Sequence, residues 1–257
     1  IAAVILLAAS CAILSCAPAA VEAPDSGHTV WNTAELFKPP AYEWIDRTSP
    51  IRSLYYKGAQ FNDRDTRVFA YYATPGSLAG DPSLDRKLPC VVLVHGGGGH
   101  AFSEWVEMWA KRGYAAIAMD HVGCGPGGTK LHDGGPGQDN DAVFFDVDGP
   151  PGDMWTHQAV SAVILAHSLV RSFPEIDPSR TAITGISWGG YLTCIVAGLD
   201  HRFRAAAPIY GCGFLADDSA WTALLSGMSE SRRTAWTRLF DPSRYVGSAT
   251  MPMFFVN

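Results

Sequence analysis

Two kinds of apolar pattern take turns along most of this chain. "IRSLYYKGAQF" and "DTRVFAYYATPG", joined by "NDR", alternate apolar and polar side chains around turn residues, the signature of an antiparallel hairpin. After the polar loop "SLAGDPSLDRK" comes "LPCVVLVHGGGG", apolar without interruption until its glycines, as a strand buried on both faces must be. From there strand and helix patterns succeed one another. "SEWVEMWAKRG" spaces its apolar residues as an amphipathic helix does and stops at Gly113, "YAAIAMD" is a buried strand, and "MWTHQAVSAVILAHSLVRSF" is a long helix. "RTAITGIS" and "FRAAAPIYG" are strands on either side of the helix "WGGYLTCIVAGL"; "SAWTALLSGMSESRRTAWTRLF" supplies one or two helices before a last strand, "MPMFFVN". Such alternation predicts a mostly parallel central sheet with helices on both faces. Residues 24–50 show no periodic element and read as an irregular lead-in to one domain over residues 51–257.

Composition narrows the classes of function. The 257 residues are 47% hydrophobic and 17% charged, which suits a globular core and excludes disorder. The formal charge of -6 is scattered, and no Lys/Arg stripe interleaves with aromatics, so nucleic acid is not an expected partner. Before Glu22 every residue is apolar or small, so residues 1–23 read as part of a secretory signal, with a retained membrane anchor as the alternative. "ILSC" resembles a bacterial lipobox, which would place a lipid anchor on Cys16 and an exported, bacterial-type protein behind it. The remaining cysteines, Cys90, Cys124, Cys194 and Cys212, have no metal-ligand spacing; they read either as buried thiols or as a source of one disulfide, with Cys124 and Cys212 at strand ends.

The chemistry concentrates in "GISWGGYLTC". Ser187 falls between a strand and a helix, where a nucleophile elbow belongs, and Gly185 and Gly189 remove side chains where that turn is tightest. Upstream, "HGGGGH" follows a buried strand, so backbone amides of Gly97 or Gly98 can join that of Trp188 around a developing oxyanion. His95, His121, Trp155 and Trp221 are candidates for the substrate cleft, with simple packing as the alternative for each tryptophan. Trp105 and Trp109, one helical turn apart, read as core. No metal site or organic cofactor is implied.

With "VLVHGGGG", "AMDHVGCG", "ITGISWGGYLT" and "MPMFFVN" in this order, the chain from about Ile51 resembles the α/β-hydrolase superfamily. Within it, the resemblance is to secreted bacterial acetylxylan esterases, dienelactone hydrolases and prolyl oligopeptidase-like enzymes. Dienelactone hydrolases carry cysteine at the elbow, and this chain has serine. The resemblance implies a serine hydrolase that cleaves a carboxylic ester, a short acyl group on a small molecule or a carbohydrate, through an acyl-enzyme intermediate. A prolyl oligopeptidase-like peptidase is the alternative within enzymes, and a catalytically silent binding protein the alternative outside them. The family's acid and histidine follow "MPMFFVN", so both are expected beyond Asn257, the fold to be truncated before its last strand and helix, and the 257 residues alone to be inactive. Asp217 and Asp218 are the substitutes for the acid, and His121 and His157 for the base; His201 should lie about 18 Å from the elbow, at the far end of a twelve-residue helix. His132 reads as a solvated loop residue.

Overall fold

The computed structural model describes residues 29–138 and 144–257. The apolar segment of residues 1–23, with Cys16, lies outside them. Strands β1 (Tyr42–Asp46), β2 (Arg52–Lys57), β3 (Arg67–Ala73), β4 (Leu88–Val94), β5 (Ala115–Met119), β6 (Ile176–Ile186) and β7 (Ala205–Ile209) form one seven-stranded sheet in the order β1-β2-β3-β5-β4-β6-β7. The first three strands and the β3–β5 pair run antiparallel, and β5, β4, β6 and β7 run parallel to one another. The helices are α1 (Thr33–Leu36), α2 (Pro75–Ala79), α3 (Ser103–Ala110), α4 (Trp155–Val170), α5 (Trp188–Leu199), α6 (Thr222–Gly227) and α7 (Glu230–Phe240).

The two-residue period of a strand distributes the core over both faces of the sheet. Val91, Leu93, Ala116 and Ala118 pack with Val106 and Ala110 of α3 on one side. Cys90, Val92, Val94, Ile117 and Met119 pack on the other, against Val163 and Ile164 of α4 and Leu192 and Ile195 of α5. Both faces of β4 and β5 are therefore buried, which is why their sequences carry no polar alternation. Trp105 and Trp109 are half-buried against the α3 side of the core.

The lead-in is not irregular. It contains α1 and β1, and β1 pairs with β2 from Tyr42↔Tyr56 to Asp46↔Ser53. A four-residue helix and a five-residue edge strand are too short to show a period, which explains why the pattern of "YEWID" gave no element. The sheet therefore begins before residue 51. Trp31 is buried in the main core, its indole N–H donating to the His157 carbonyl at 3.0 Å.

"MPMFFVN" also differs from expectation. It lies parallel beside β7 through the isolated bridges Ala206↔Met253 and Ile209↔Val256, without forming a continuous strand. Backbone bonds run from Ala206 N to Pro252 O, Phe254 N to Ala206 O, Val256 N to Pro208 O and Tyr210 N to Val256 O. Pro208 sits in the middle of this ladder and has no N–H to continue it. Cys212 is a free thiol, so the pairing with Cys124 is not formed.

Below the sheet a buried polar network ties the lead-in to the core. His167 in α4 bonds Asp200 at 2.7 Å through Nδ1 and Thr181 at 2.8 Å through Nε2. Arg202 pairs with Asp200 at 2.7 Å, donates to the Phe37 carbonyl at 3.2 Å and lies over the Phe37 ring. Burial opposes the Asp200 charge, but the bonds from Arg202 and His167 outweigh it and hold the carboxyl below the usual range. Burial pushes His167 down to about 4, against the pull of Asp200.

These burials give stability a definite pH dependence. Burial also pushes His121 down to about 4 and His95 below its ordinary value. Between pH 6.5 and about 4 the unfolded chain binds protons at these three imidazoles that the folded chain does not, so stability falls as pH falls through that window. Asp120, raised by burial to about 6, acts in the opposite sense between 3.8 and 6, but as a single group against several imidazoles, since burial lowers His157 as well. The urea midpoint is expected to be lower at pH 5 than at pH 7; an equal or higher midpoint at pH 5 would contradict the burial of neutral rings.

Candidate active site

Strand β6 ends at Ile186 and α5 begins at Trp188, and the single residue between them, Ser187, is exposed with φ 56° and ψ −119°. That left-handed φ is strained for a residue with a Cβ, and strain of this kind persists only where the surroundings hold it in place. The surroundings are backbone. Ser187 N–H donates to Ile209 O of β7 at 2.9 Å, and Ser187 C=O accepts from Tyr191 N–H at 2.9 Å. The turn is also jammed against β4: a Cβ at Gly189 would stand 2.1 Å from Val94 O, and one at Gly185 would stand 2.4 Å from Gly189 O. Only glycine fits at either place, and the result is an exposed hydroxyl at the positive end of α5.

Register brings the glycine turn to the same spot. Val94 of β4 pairs with Gly185 of β6, so the segments that follow the two strands emerge together at one edge of the sheet. A Cβ at Gly96 would sit 3.3 Å from the Ser187 Cβ, and one at Gly97 would sit 2.4 Å from Cδ1 of Trp188. Gly98 turns the chain away with φ 69°. Among the described residues, no group accepts a hydrogen bond from the amides of Gly97, Gly98 or Trp188. Three amides without an acceptor thus lie in the two segments that meet at Ser187.

The remaining candidates divide. Trp221 is half-buried and stacks on Trp188 with ring centroids 5.1 Å apart, while Phe144 lies 4.0 Å from Trp188, so this side of the elbow is aromatic. Trp155 is not a cleft wall: it is 1% exposed, packs against Phe144, and gives its indole N–H to His121 O at 3.1 Å. His95 and His121 do not line an open cleft either, being 1% and 4% exposed beneath the glycine turn. The parallel register Val94↔Met119 places the residues after β4 and β5 side by side, and the two rings stack on each other instead of facing outward.

The substitute acids and bases are placed elsewhere by their own contacts or left exposed. Among the described residues no imidazole or carboxylate is hydrogen-bonded to its hydroxyl. His157 stacks on Trp31, His201 caps the far end of α5 through Gly198 O, and His132 and Asp133 face each other on an outer loop. Asp217 and Asp218 are exposed in the loop after β7. The acid that organises that loop is Asp241, which is buried and accepts from the amides of Phe214, Leu215 and Ser243.

Sequence reasoning passed over Tyr210. Ile186 pairs with Ile209, so Tyr210 is the register neighbour of Ser187, and it too is exposed with a left-handed φ, of 55°. The signal was available in the alignment of "ISW" with "IYG" at the ends of two adjacent strands.

Residues 40–249 match the family model of acetyl xylan esterases (AXE1). The chain is 25% identical over 206 residues to an uncharacterized peptidase, YuxL, of Bacillus subtilis (strain 168), an alignment covering 74% of this chain and 28% of that protein. The chain thus spans under a third of the length of that curated relative. Among solved structures, the acetyl xylan esterase of Paenibacillus sp. R4 superposes with a TM-score of 0.61 at 21% identity, covering 87% of this chain and 84% of that one. Acetyl xylan esterase 1 of Thermoanaerobacterium sp. JW/SL YS485 gives 0.63 at 18% identity, over 86% and 75% of the two chains. The likeness of backbones supports the α/β-hydrolase fold.

The elbow's dependence on close approach can be separated from its dependence on backbone conformation. Gly189→Ala drives a methyl group into Val94 O and is expected to cost about 3 kcal/mol. Gly98→Ala meets no atom within 4 Å and is expected to cost only the left-handed conformation, about 1 kcal/mol. Urea unfolding of the two variants checks the ranking, and a larger loss for Gly98→Ala would contradict it.

Proposed function

Because the chain belongs to the acetyl xylan esterase family, we propose that it is an exported serine esterase that removes a short acyl group from a small-molecule or carbohydrate ester. The observation that carries this reading is Ser187, exposed on a strained turn at the start of α5, with the 96–98 glycine turn directly against it. In this reading Ser187 Oγ attacks the acyl carbon and gives up its proton to a base. The carbonyl oxygen gathers charge between the amides of Trp188 and Gly97, the alcohol leaves with a proton, and water then cleaves the acyl-enzyme. Trp188 and Trp221, both half-buried and stacked on each other with the buried Phe144 behind Trp188, offer an aromatic edge next to the elbow suited to the flat face of a sugar or aryl alcohol. Export is supported by the apolar run that precedes Glu22. No helix among the described residues is long and apolar enough to cross a membrane.

A peptidase reading is supported by the relative in Bacillus subtilis that bears that name. An acyl-enzyme mechanism serves amides and esters alike, so substrate choice decides between them. The full-length protein is expected to hydrolyse p-nitrophenyl acetate far faster than an acylated amino-acid p-nitroanilide, with Ser187→Ala lowering ester turnover about a million-fold. A faster anilide would favour the peptidase, and turnover that survives Ser187→Ala would remove Ser187 from the mechanism.

A further inference from the structure

His95 and His121 are buried, stacked and unused by the chemistry above, yet both are bonded to the glycine turn. Their ring centroids are 3.7 Å apart with planes inclined by 7°. His95 Nδ1 lies 2.8 Å from Gly96 O, and His121 Nε2 lies 2.9 Å from His95 O. A carbonyl only accepts, so each of these nitrogens carries a proton. His95 is then the Nδ1–H tautomer with a lone pair on Nε2, and that lone pair faces the His121 amide at 3.4 Å. The assignment is self-consistent: two neutral rings, each donating once to consecutive carbonyls of the same turn.

Peptide planarity converts these bonds into aim. The carbonyl of Gly96 and the N–H of Gly97 belong to one rigid unit and point in opposite directions, so holding the first fixes the direction of the second. The same holds for His95 C=O and Gly96 N–H. Gly99 N–H also bonds Gly96 O, at 3.2 Å, closing the turn on the ring side. Behind the pair, Trp155 holds His121 O at 3.1 Å, and Asp120 is anchored by the amides of Val122 and Cys124 with its second oxygen 3.8 Å from His95 Nε2. Burial keeps both imidazoles neutral, so neither ring brings a charge under the turn.

We propose that His95 and His121 are positioning residues that, as a stacked pair of fixed tautomers, hold the carbonyls of residues 95 and 96 and thereby aim the Gly97 amide at the oxyanion. This rests on the reading of Ser187 as the nucleophile of a hydrolase. Neither ring touches substrate; the pair acts through the turn.

The test uses the full-length protein and has two arms. In the first, long-range ¹H–¹⁵N spectra of histidine-labelled protein at pH 7 are expected to show His95 as the Nδ1–H tautomer and His121 as the Nε2–H tautomer; the reverse tautomer at either, or a charged ring, overturns the proposal. In the second, His121→Phe keeps a stackable ring without a donor, whereas His121→Gln returns an N–H to the Nε2 position. His121→Phe is expected to lower kcat for p-nitrophenyl acetate about 100-fold with KM little changed, as for loss of one oxyanion donor, and His121→Gln to recover most of that loss. A role in folding alone would lower the folded fraction and leave kcat per titrated active site intact, which would overturn the proposal. Wild-type protein lacking Ser187-dependent turnover would overturn the hydrolase reading and this proposal together; wild-type turnover with unchanged kcat in His121→Phe would overturn this proposal alone.

Discussion

Everything at the carboxyl edge of the sheet depends on one backbone contact, the first turn of α5 pressed against the end of β4. Without a Cβ at Gly189, the helix start lies directly on Val94 O, and a methyl group there would meet that oxygen at 2.1 Å. This approach forces the chain through the left-handed conformation at Ser187. It also brings the segment after β4, with its run of glycines, into contact with Ser187 and Trp188. The exposed hydroxyl, the start of a helix and the glycine turn therefore lie at one edge of the sheet because two backbones touch, and side chains supply little of the architecture.

Side chains instead hold that backbone in place from below and beside. His95 and His121 grip the glycine turn by its carbonyls, and Trp155 grips His121. On the other side, Phe144 and Phe145 come from the far end of the long connection after β5. They are buried against Trp188, Trp221 and Trp236, whose indole N–H donates to Phe144 O at 3.2 Å. The connection is thus anchored in the core where it meets the elbow.

Much of this was legible in the sequence. The succession of strands and helices followed from apolar runs bounded by glycine, and the elbow followed from a serine flanked by glycines at a strand-to-helix boundary. Local features too short to carry a period were not legible, which is why β1 was missed. The orientation of large polar and aromatic side chains was equally hidden. His95, His121 and Trp155, candidates for the cleft from their sequence, lie buried, because the choice between facing in and facing out is made by the stacking of one residue on another from a separate strand. Tyr210 was missed for a related reason: its place beside Ser187 comes from the pairing of β6 with β7, which no local pattern encodes.

The central claim is that Ser187 and the glycine turn form a single site for a tetrahedral anion. A crystal structure of the full-length protein after reaction with an alkyl fluorophosphonate tests it most directly. The account predicts phosphorus bonded to Ser187 Oγ, with the phosphonyl oxygen about 2.7–3.1 Å from the amides of Gly97 and Trp188. An unmodified Ser187, or an adduct whose oxygen points away from both amides, would contradict it.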